Sequence, residues 1–248
     1  MKNIILEKLK EIEETHQVKV LYACEDGSRA WGFHADSSDY DVRFVFLQDS
    51  IKYLTLGTPK DAMNFGLSEQ LDLSGWDIRK FLQLMGKSNA SVLEWLRSPV
   101  VYVSEPSFVD EARKLMLQYF NPVATYHHYA GLAKKHMEDI SILFPTAKGY
   151  LHATRALLAC QWVIHKQGPP PTLFSDLITI AESESIRAVL GKLLQLKQSD
   201  NNLLVEKEYD LEKWMDDVLA ANEKEKSQLK HEKAGLEDLD AFYRNCIS

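Results

Sequence analysis

Asp39 and Asp41 stand two residues apart at the entrance to an apolar run, Tyr40-Asp41-Val42-Arg43-Phe44-Val45-Phe46. In an extended chain, residues two apart project from the same face. Two carboxylates so placed repel each other unless something positive lies between them. A hard cation suits that position: Mg²⁺, or Mn²⁺ in its stead, held by a few carboxylates and by substrate phosphates. Ten residues separate the pair from Gly27-Ser28, which closes an earlier apolar stretch, Leu21 to Cys24. Glycine permits a tight turn and close backbone approach. The N–H groups of such a turn, with the Ser28 hydroxyl, suit a phosphate. A third acid, Asp72, stands between Leu71 and Leu73. An acid in an otherwise buried strand is costly unless it is paired or metal-bound. The expected site is therefore Asp39, Asp41 and Asp72 as catalytic, metal-holding carboxylates, with Gly27 and Ser28 cradling phosphate. One ion would orient a triphosphate and a second would lower the pKa of an attacking hydroxyl. Asp72 contacts that second ion and is a candidate general base.

Other side chains near the motif have competing explanations. Arg29 opens the segment after the turn; it either reaches phosphate or pairs with Asp36 or Glu25. Arg43 alternates with Asp39 and Asp41, so it shares their face and either neutralises the carboxylates or touches substrate. Glu25-Asp26 precede Gly27, and Glu25 is expected to face solvent, because negative charge there would repel a triphosphate. Asp77, the rival of Asp72, precedes a helical pattern and reads as its N-cap. Trp31, Trp76 and Trp95 read as packing residues, although the first two could stack on a base. His34 reads as an exposed loop residue. His127-His128 lack the three- or four-residue spacing that places two ligands on one helix face.

The elements that must position these residues follow from periodicity. Ile4, Ile5, Leu9 and Ile12 recur at helical spacing up to about His16. Val18 to Cys24 and Tyr40 to Leu47 read as strands, the second central. A short helix is expected over 28–32 and another over 51–56. Residues 62–73 read as one or two strands, and helices follow over 78–85 and 90–96. A short edge strand is expected over 100–103. Beyond Pro106 the texture is helical: 108–120, 123–143, 148–165, 174–181, 185–196 and 203–223, with Pro122, Pro145 and Pro169-Pro170-Pro171 between several of them. The stretch 222–240 is charge-rich and reads as a solvated helix with a fraying tail. The expected fold is α+β: a mixed sheet with flanking helices over 1–105, then an all-helical bundle over 106–248, with a site in the cleft between them.

Composition limits the alternatives. The 248 residues carry 29 basic and 36 acidic side chains, a net charge of −7. That is not a generally basic nucleic-acid coat protein, and no single basic run stands out. The three cysteines, Cys24, Cys160 and Cys246, are far apart and lack Cys-x-x-Cys spacing. A disulfide framework or structural zinc is not expected, and a reducing cytoplasmic setting is. The N-terminal pattern is amphipathic rather than a signal peptide. No apolar run reaches the ~18–20 residues of a membrane span.

Gly-Ser-Arg-Ala-Trp-Gly-Phe followed by Ser-Asp-Tyr-Asp-Val-Arg-Phe resembles the DNA polymerase β-like nucleotidyltransferase superfamily. More closely, the chain looks like the bacterial and phage nucleotidyltransferase group called YcgL, the RNA repair pathway DNA polymerase β family. Leu71 to Lys80, Leu93 to Tyr102 and Lys148 to Trp162 carry that closer likeness, which runs from about residue 20 to about residue 175. The resemblance implies transfer of a nucleoside monophosphate from an NTP to a hydroxyl, with loss of pyrophosphate. It implies Mg²⁺ as cofactor. It also implies that basic residues of the helical half hold the β- and γ-phosphates; Lys148 and Arg155, two helical turns apart, are candidates, with Lys80 behind them. The acceptor stays open between an RNA 3′ end, a protein hydroxyl and a small molecule such as an antibiotic. A nucleotide-binding regulatory module without turnover is the non-enzymatic alternative, and three intact acids argue against it.

Overall fold

The computed structural model describes residues 1–57, 59–68, 70–142, 144–200, 203–232 and 234–248. In chain order the elements are α1 (Lys2–His16), β1 (Val18–Glu25), α2 (Gly27–Trp31), β2 (Tyr40–Gln48), α3 (Ser50–Tyr53), β3 (Ala62–Ser68), β4 (Leu71–Asp77), α4 (Ile78–Met85), α5 (Ala90–Leu96) and β5 (Val101–Ser104). Then come α6 (Pro106–Gln118), α7 (Pro122–Ile142), α8 (Ala147–Lys166), α9 (Phe174–Leu177), α10 (Glu184–Ser199), α11 (Tyr209–Glu225) and α12 (Glu237–Ile247). The fold is α+β, as the sequence suggests. Contacts divide it into two units: Met1–Ala30, Asp39–Tyr119 and Lys233–Ser248 form the first, Trp31–Ser38 and Phe120–Glu232 the second. The sequence suggests a single boundary near residue 105. The contacts instead group α6 and α12 with the sheet, and the eight residues between Ala30 and Asp39 with the helices.

The first unit is built on a five-stranded sheet in the order β3-β4-β2-β1-β5. β2 and β4 run parallel; the other neighbours are antiparallel. β1 is buried at every position except Lys19, which matches its nearly continuous apolar sequence. Ile5, Leu9 and Ile12 of α1 recur at helical spacing and cluster with Val42, Phe44, Phe46 and Leu73 on one sheet face. Each such burial contributes about 1.5–3 kcal/mol. Phe44 stands opposite Gly75 in the parallel register. A Cβ at Gly75 would stand 2.2 Å from the Phe44 ring, so this strand position has room only for glycine.

Alternation turns Asp41, Arg43 and Val45 of β2, and Asp72, Ser74 and Trp76 of β4, to the opposite face. There Trp76 stacks on Trp95 of α5 at 4.0 Å, and Phe81 of α4 stacks on the same indole. Trp76 and Trp95 are thus packing residues. Asp77 caps α4 through Arg79 N–H, as its sequence position suggests. Its other oxygen accepts from Gln48 Nε2 at 2.9 Å and Tyr53 OH at 2.7 Å.

The stretch 222–240 departs from the expected solvated helix. α11 ends at Glu225, a single 3-10 turn follows over Lys226–Gln228, and α-helix is next seen at Glu237. Leu239 and Phe242 of α12 are buried, and the Phe242 ring stacks 5.6 Å from Phe108 of α6. Tyr243 adds to the docking, its OH accepting from Arg79 Nε at 3.1 Å and its ring meeting Tyr53 at 5.7 Å, and charged neighbours dilute this apolar signal in the sequence.

The second unit centres on α8, buried along most of its length and packed by α7, α10 and α11. A helix apolar nearly all round must be enclosed. The helix expected over 203–223 begins only at Tyr209. Leu204 forms an antiparallel bridge to Thr146, and Val205 N–H donates to Pro145 O at 3.0 Å, which holds that segment extended. The helix expected to reach 143 runs to Ile142; residue 143 lies outside the described residues. Cys24 and Cys160 are buried in the two cores. Among the described residues, no helix is long and apolar enough to cross a membrane.

Candidate active site

β1 delivers the chain to Gly27, which turns with φ +61°, a conformation that favours glycine. A Cβ there would also stand 2.6 Å from Asp41 Oδ2. The turn backbone therefore lies directly against the Asp41 carboxylate. Gly27 N–H donates to Asp26 Oδ1 at 2.8 Å, so that donor is already engaged. Ser28 follows in α2, half-buried. Asp26 N–H donates to Asp41 O at 2.8 Å, and Asp41 N–H to Glu25 Oε1 at 2.8 Å, which fixes the start of β2 against the end of β1.

Asp41 and Asp72 are register partners across the parallel β2–β4 pair. Arg43 lies between them. Its Nη2 meets Asp41 Oδ1 at 3.0 Å and its Nη1 meets Asp72 Oδ2 at 2.6 Å. Its Nε is 3.7 Å from Asp26 Oδ2. One guanidinium thus serves three carboxylates. Asp39 precedes β2 and is exposed. Its carbonyl accepts from Arg29 Nε at 3.0 Å, while the Arg29 guanidinium lies 3.6 Å over the Tyr40 ring.

The charge excess shows in the titration of the site. Burial raises the Asp41 carboxyl above its ordinary pKa; Arg43 pulls it down, and Asp39 and Asp72 push it up again. Burial raises Asp26 as well, with Glu94 adding to it and the Gly27 N–H opposing. Arg43 keeps its proton: burial opposes the charge, but the Asp72 hydrogen bond and the Asp41 and Asp26 charges outweigh it.

These donors are all carboxylate oxygens, the chemistry that suits Mg²⁺ or Mn²⁺. Among the described residues, no three His, Cys, Asp or Glu side chains are grouped closely enough to hold a metal by themselves. Substrate phosphate oxygens would complete the coordination of an ion on Asp39 and Asp41, and on that footing the donor set fits.

The model of the RNA repair pathway DNA polymerase beta family matches residues 1–245. The chain belongs to that family. It is 37% identical over 214 residues to the uncharacterized protein YcgL of Bacillus subtilis (strain 168), covering 85% of this chain and 82% of that protein. A crystal structure of a nucleotidyltransferase-like protein from Exiguobacterium sibiricum aligns over 88% of this chain and 73% of that one, at 16% identity and a TM-score of 0.32.

Within this family member, Gly27, Ser28, Arg29, Asp39, Asp41, Arg43 and Asp72 all belong to the sheet unit. Lys148 and Arg155 belong to α8 of the helical unit and differ in surroundings: Lys148 is exposed, and Arg155 is buried with its guanidinium 4.2 Å over Trp31. Trp31 also meets the His152 ring edge-on at 5.2 Å, a packing role. Lys80 pairs with Asp61 at 3.3 Å. His34 is exposed and His127-His128 lie within α7.

One expectation is corrected. Glu25 does not face solvent; it is 1% exposed. Its Oε2 accepts from Tyr102 OH on β5, and its Oε1 holds the Asp41 N–H. Burial raises its pKa, against the pull of those two bonds. The Glu-Asp-Gly sequence reads as a turn, which hid this. The rule applied to Asp72, that an acid within a buried strand needs a partner, would have found it. Arg29 holds the Asp39 carbonyl and the Tyr40 ring, and its charge also lowers the Glu25 pKa.

Proposed function

We propose that this protein is a metal-dependent nucleotidyltransferase that moves a nucleoside monophosphate from an NTP to the hydroxyl of an RNA 3′ end, releasing pyrophosphate. The register pairing of Asp41 with Asp72, beside the Gly27 turn, carries the reading. Asp39 and Asp41 would hold Mg²⁺, which would neutralise phosphate charge and polarise the α-phosphorus. Gly27 and Ser28 bound the phosphates on the turn side. Asp72, 44% exposed at its side chain, faces the acceptor and takes the hydroxyl proton. The acceptor oxygen bonds to the α-phosphorus, and the bond to the β-phosphate bridge breaks. Lys148 and Arg155 are proposed contacts for the outer phosphates, and Arg29 for the nucleotide. The RNA acceptor rests on the family's place in RNA repair.

The test is incubation with each α-labelled NTP, Mg²⁺ and RNA ending in either a 3′ hydroxyl or a 3′ phosphate. Label is expected on the 3′-hydroxyl RNA alone, and not with Asp41→Asn. Label on protein or on small metabolites would replace the acceptor. Labelling that survives Asp41→Asn would remove the reaction class.

A further inference from the structure

The Arg43 guanidinium lies between Asp41 and Asp72, on the two oxygens that an ion bridging Asp41 Oδ1 and Asp72 Oδ2 would need. Its two terminal nitrogens divide the pair, one to each carboxylate, at 3.0 and 2.6 Å. The fork is anchored behind: Nε lies 3.7 Å from Asp26 Oδ2, Nη1 donates to Val42 O at 3.3 Å, and the side chain is only 19% exposed. A guanidinium cannot lose its proton in a protein. Expelling it to admit a metal would strip three carboxylates of one cation and leave a partly buried charge to find new partners, a costly exchange. The two oxygens of Asp41 are meanwhile divided. Oδ1 takes Arg43, while Oδ2 lies against the Gly27 turn.

We propose that Arg43 permanently fills the place of the second divalent cation, so that the site loads a single metal ion, which Asp39 and Asp41 would hold. Asp72 is then not a metal ligand. It is a carboxylate oriented by Arg43, and the guanidinium supplies a fixed positive charge beside the acceptor position. This rests on the reading of Asp39 and Asp41 as metal-bearing. It departs from the two-ion arrangement expected from the sequence.

The test counts bound Mn²⁺ by the EPR signal of the free ion, on the full chain, with and without a non-hydrolysable NTP analogue. With the analogue present, and after subtraction of the Mn²⁺ that the analogue chelates alone, wild type and Asp72→Asn are expected to bind the same single Mn²⁺ per chain. Arg43→Gln is expected to bind one more, which the double variant Arg43→Gln with Asp72→Asn loses again. Loss of an ion in Asp72→Asn overturns the proposal, because Asp72 would then be a ligand. So does a wild type that binds two ions or none, or an Arg43→Gln protein that gains nothing. Should Arg43→Gln fail to fold, the comparison of wild type with Asp72→Asn decides alone. The labelling experiment judges the proposed reaction separately, since it does not depend on how many ions are bound.

Discussion

Asp72 and Asp77 lie at opposite ends of β4 and are held in opposite ways. Asp77 is 2% exposed, yet it accepts from Arg79 N–H, Gln48 Nε2 and Tyr53 OH, three neutral donors. It joins β2, α3 and α4. Asp72 is half exposed and shares one guanidinium with Asp41 and Asp26. At one end of the strand a carboxylate is satisfied by dipoles. At the other, carboxylates outnumber the cation that serves them. The first arrangement stabilises the fold; the second is a standing charge excess that a ligand can relieve.

That contrast can be broken from either end. The largest effect is expected for Asp41→Asn: nucleotidyl transfer falls on the order of a thousandfold, while the thermal midpoint holds or rises because a crowded charge is gone. Asp77→Asn should do the reverse. It leaves buried donors facing an amide and lowers stability by about 2–4 kcal/mol, with transfer per folded molecule retained. Denaturant melts beside single-turnover rates separate the two. If Asp77→Asn cost activity without stability, the division of labour along β4 would be wrong.

Gly75, three residues from Asp72 on the same strand, tests the scaffold between the two ends. Gly75→Ala drives a methyl into the Phe44 ring and should cost about 1–3 kcal/mol in urea melts. A neutral result would mean that Phe44 has room to move, and with it the strand that carries Asp41.

The smallest effect is in pH. Glu25, Asp26 and Asp41 are all raised above their ordinary values, chiefly by burial. An acid whose folded pKa lies above its unfolded value of ~4 binds its proton more tightly when folded. Stability from this end of the sheet therefore falls as pH rises from about 4 through those raised values. The wild-type thermal midpoint should drop across that window, and Asp41→Asn should flatten the slope. An unchanged slope would place the strain on Glu25 and Asp26 alone.

Much of this was open to reading from the residues. Apolar spacing located α1, β1, β2 and the helical half, and an acid flanked by leucines pointed to Asp72. Alternation put Arg43 on the face of Asp41. What escaped depended on partners distant in the chain. Glu25 is buried because Tyr102, 77 residues on, meets its carboxylate. The register that sets Asp41 against Asp72 joins two parallel strands with β3 between them in the chain. No local pattern encodes either pairing. α12 escaped because its docking residues, Leu239, Phe242 and Tyr243, stand amid acidic neighbours and meet partners far back in the chain.

The docking of α12 has a consequence for the order of synthesis. The sheet unit draws on stretches from both ends of the numbered chain. A ribosome delivers the strands first, and Phe108, already against Phe81, waits for the rest of its cover until Phe242 has emerged. Through that interval α4 and α6 carry an open apolar patch, the kind of surface that chaperones bind and that aggregates grow from. Ribosome-stalled chains that end before residue 237 should therefore be more readily cleaved by protease within α6 than chains that include α12.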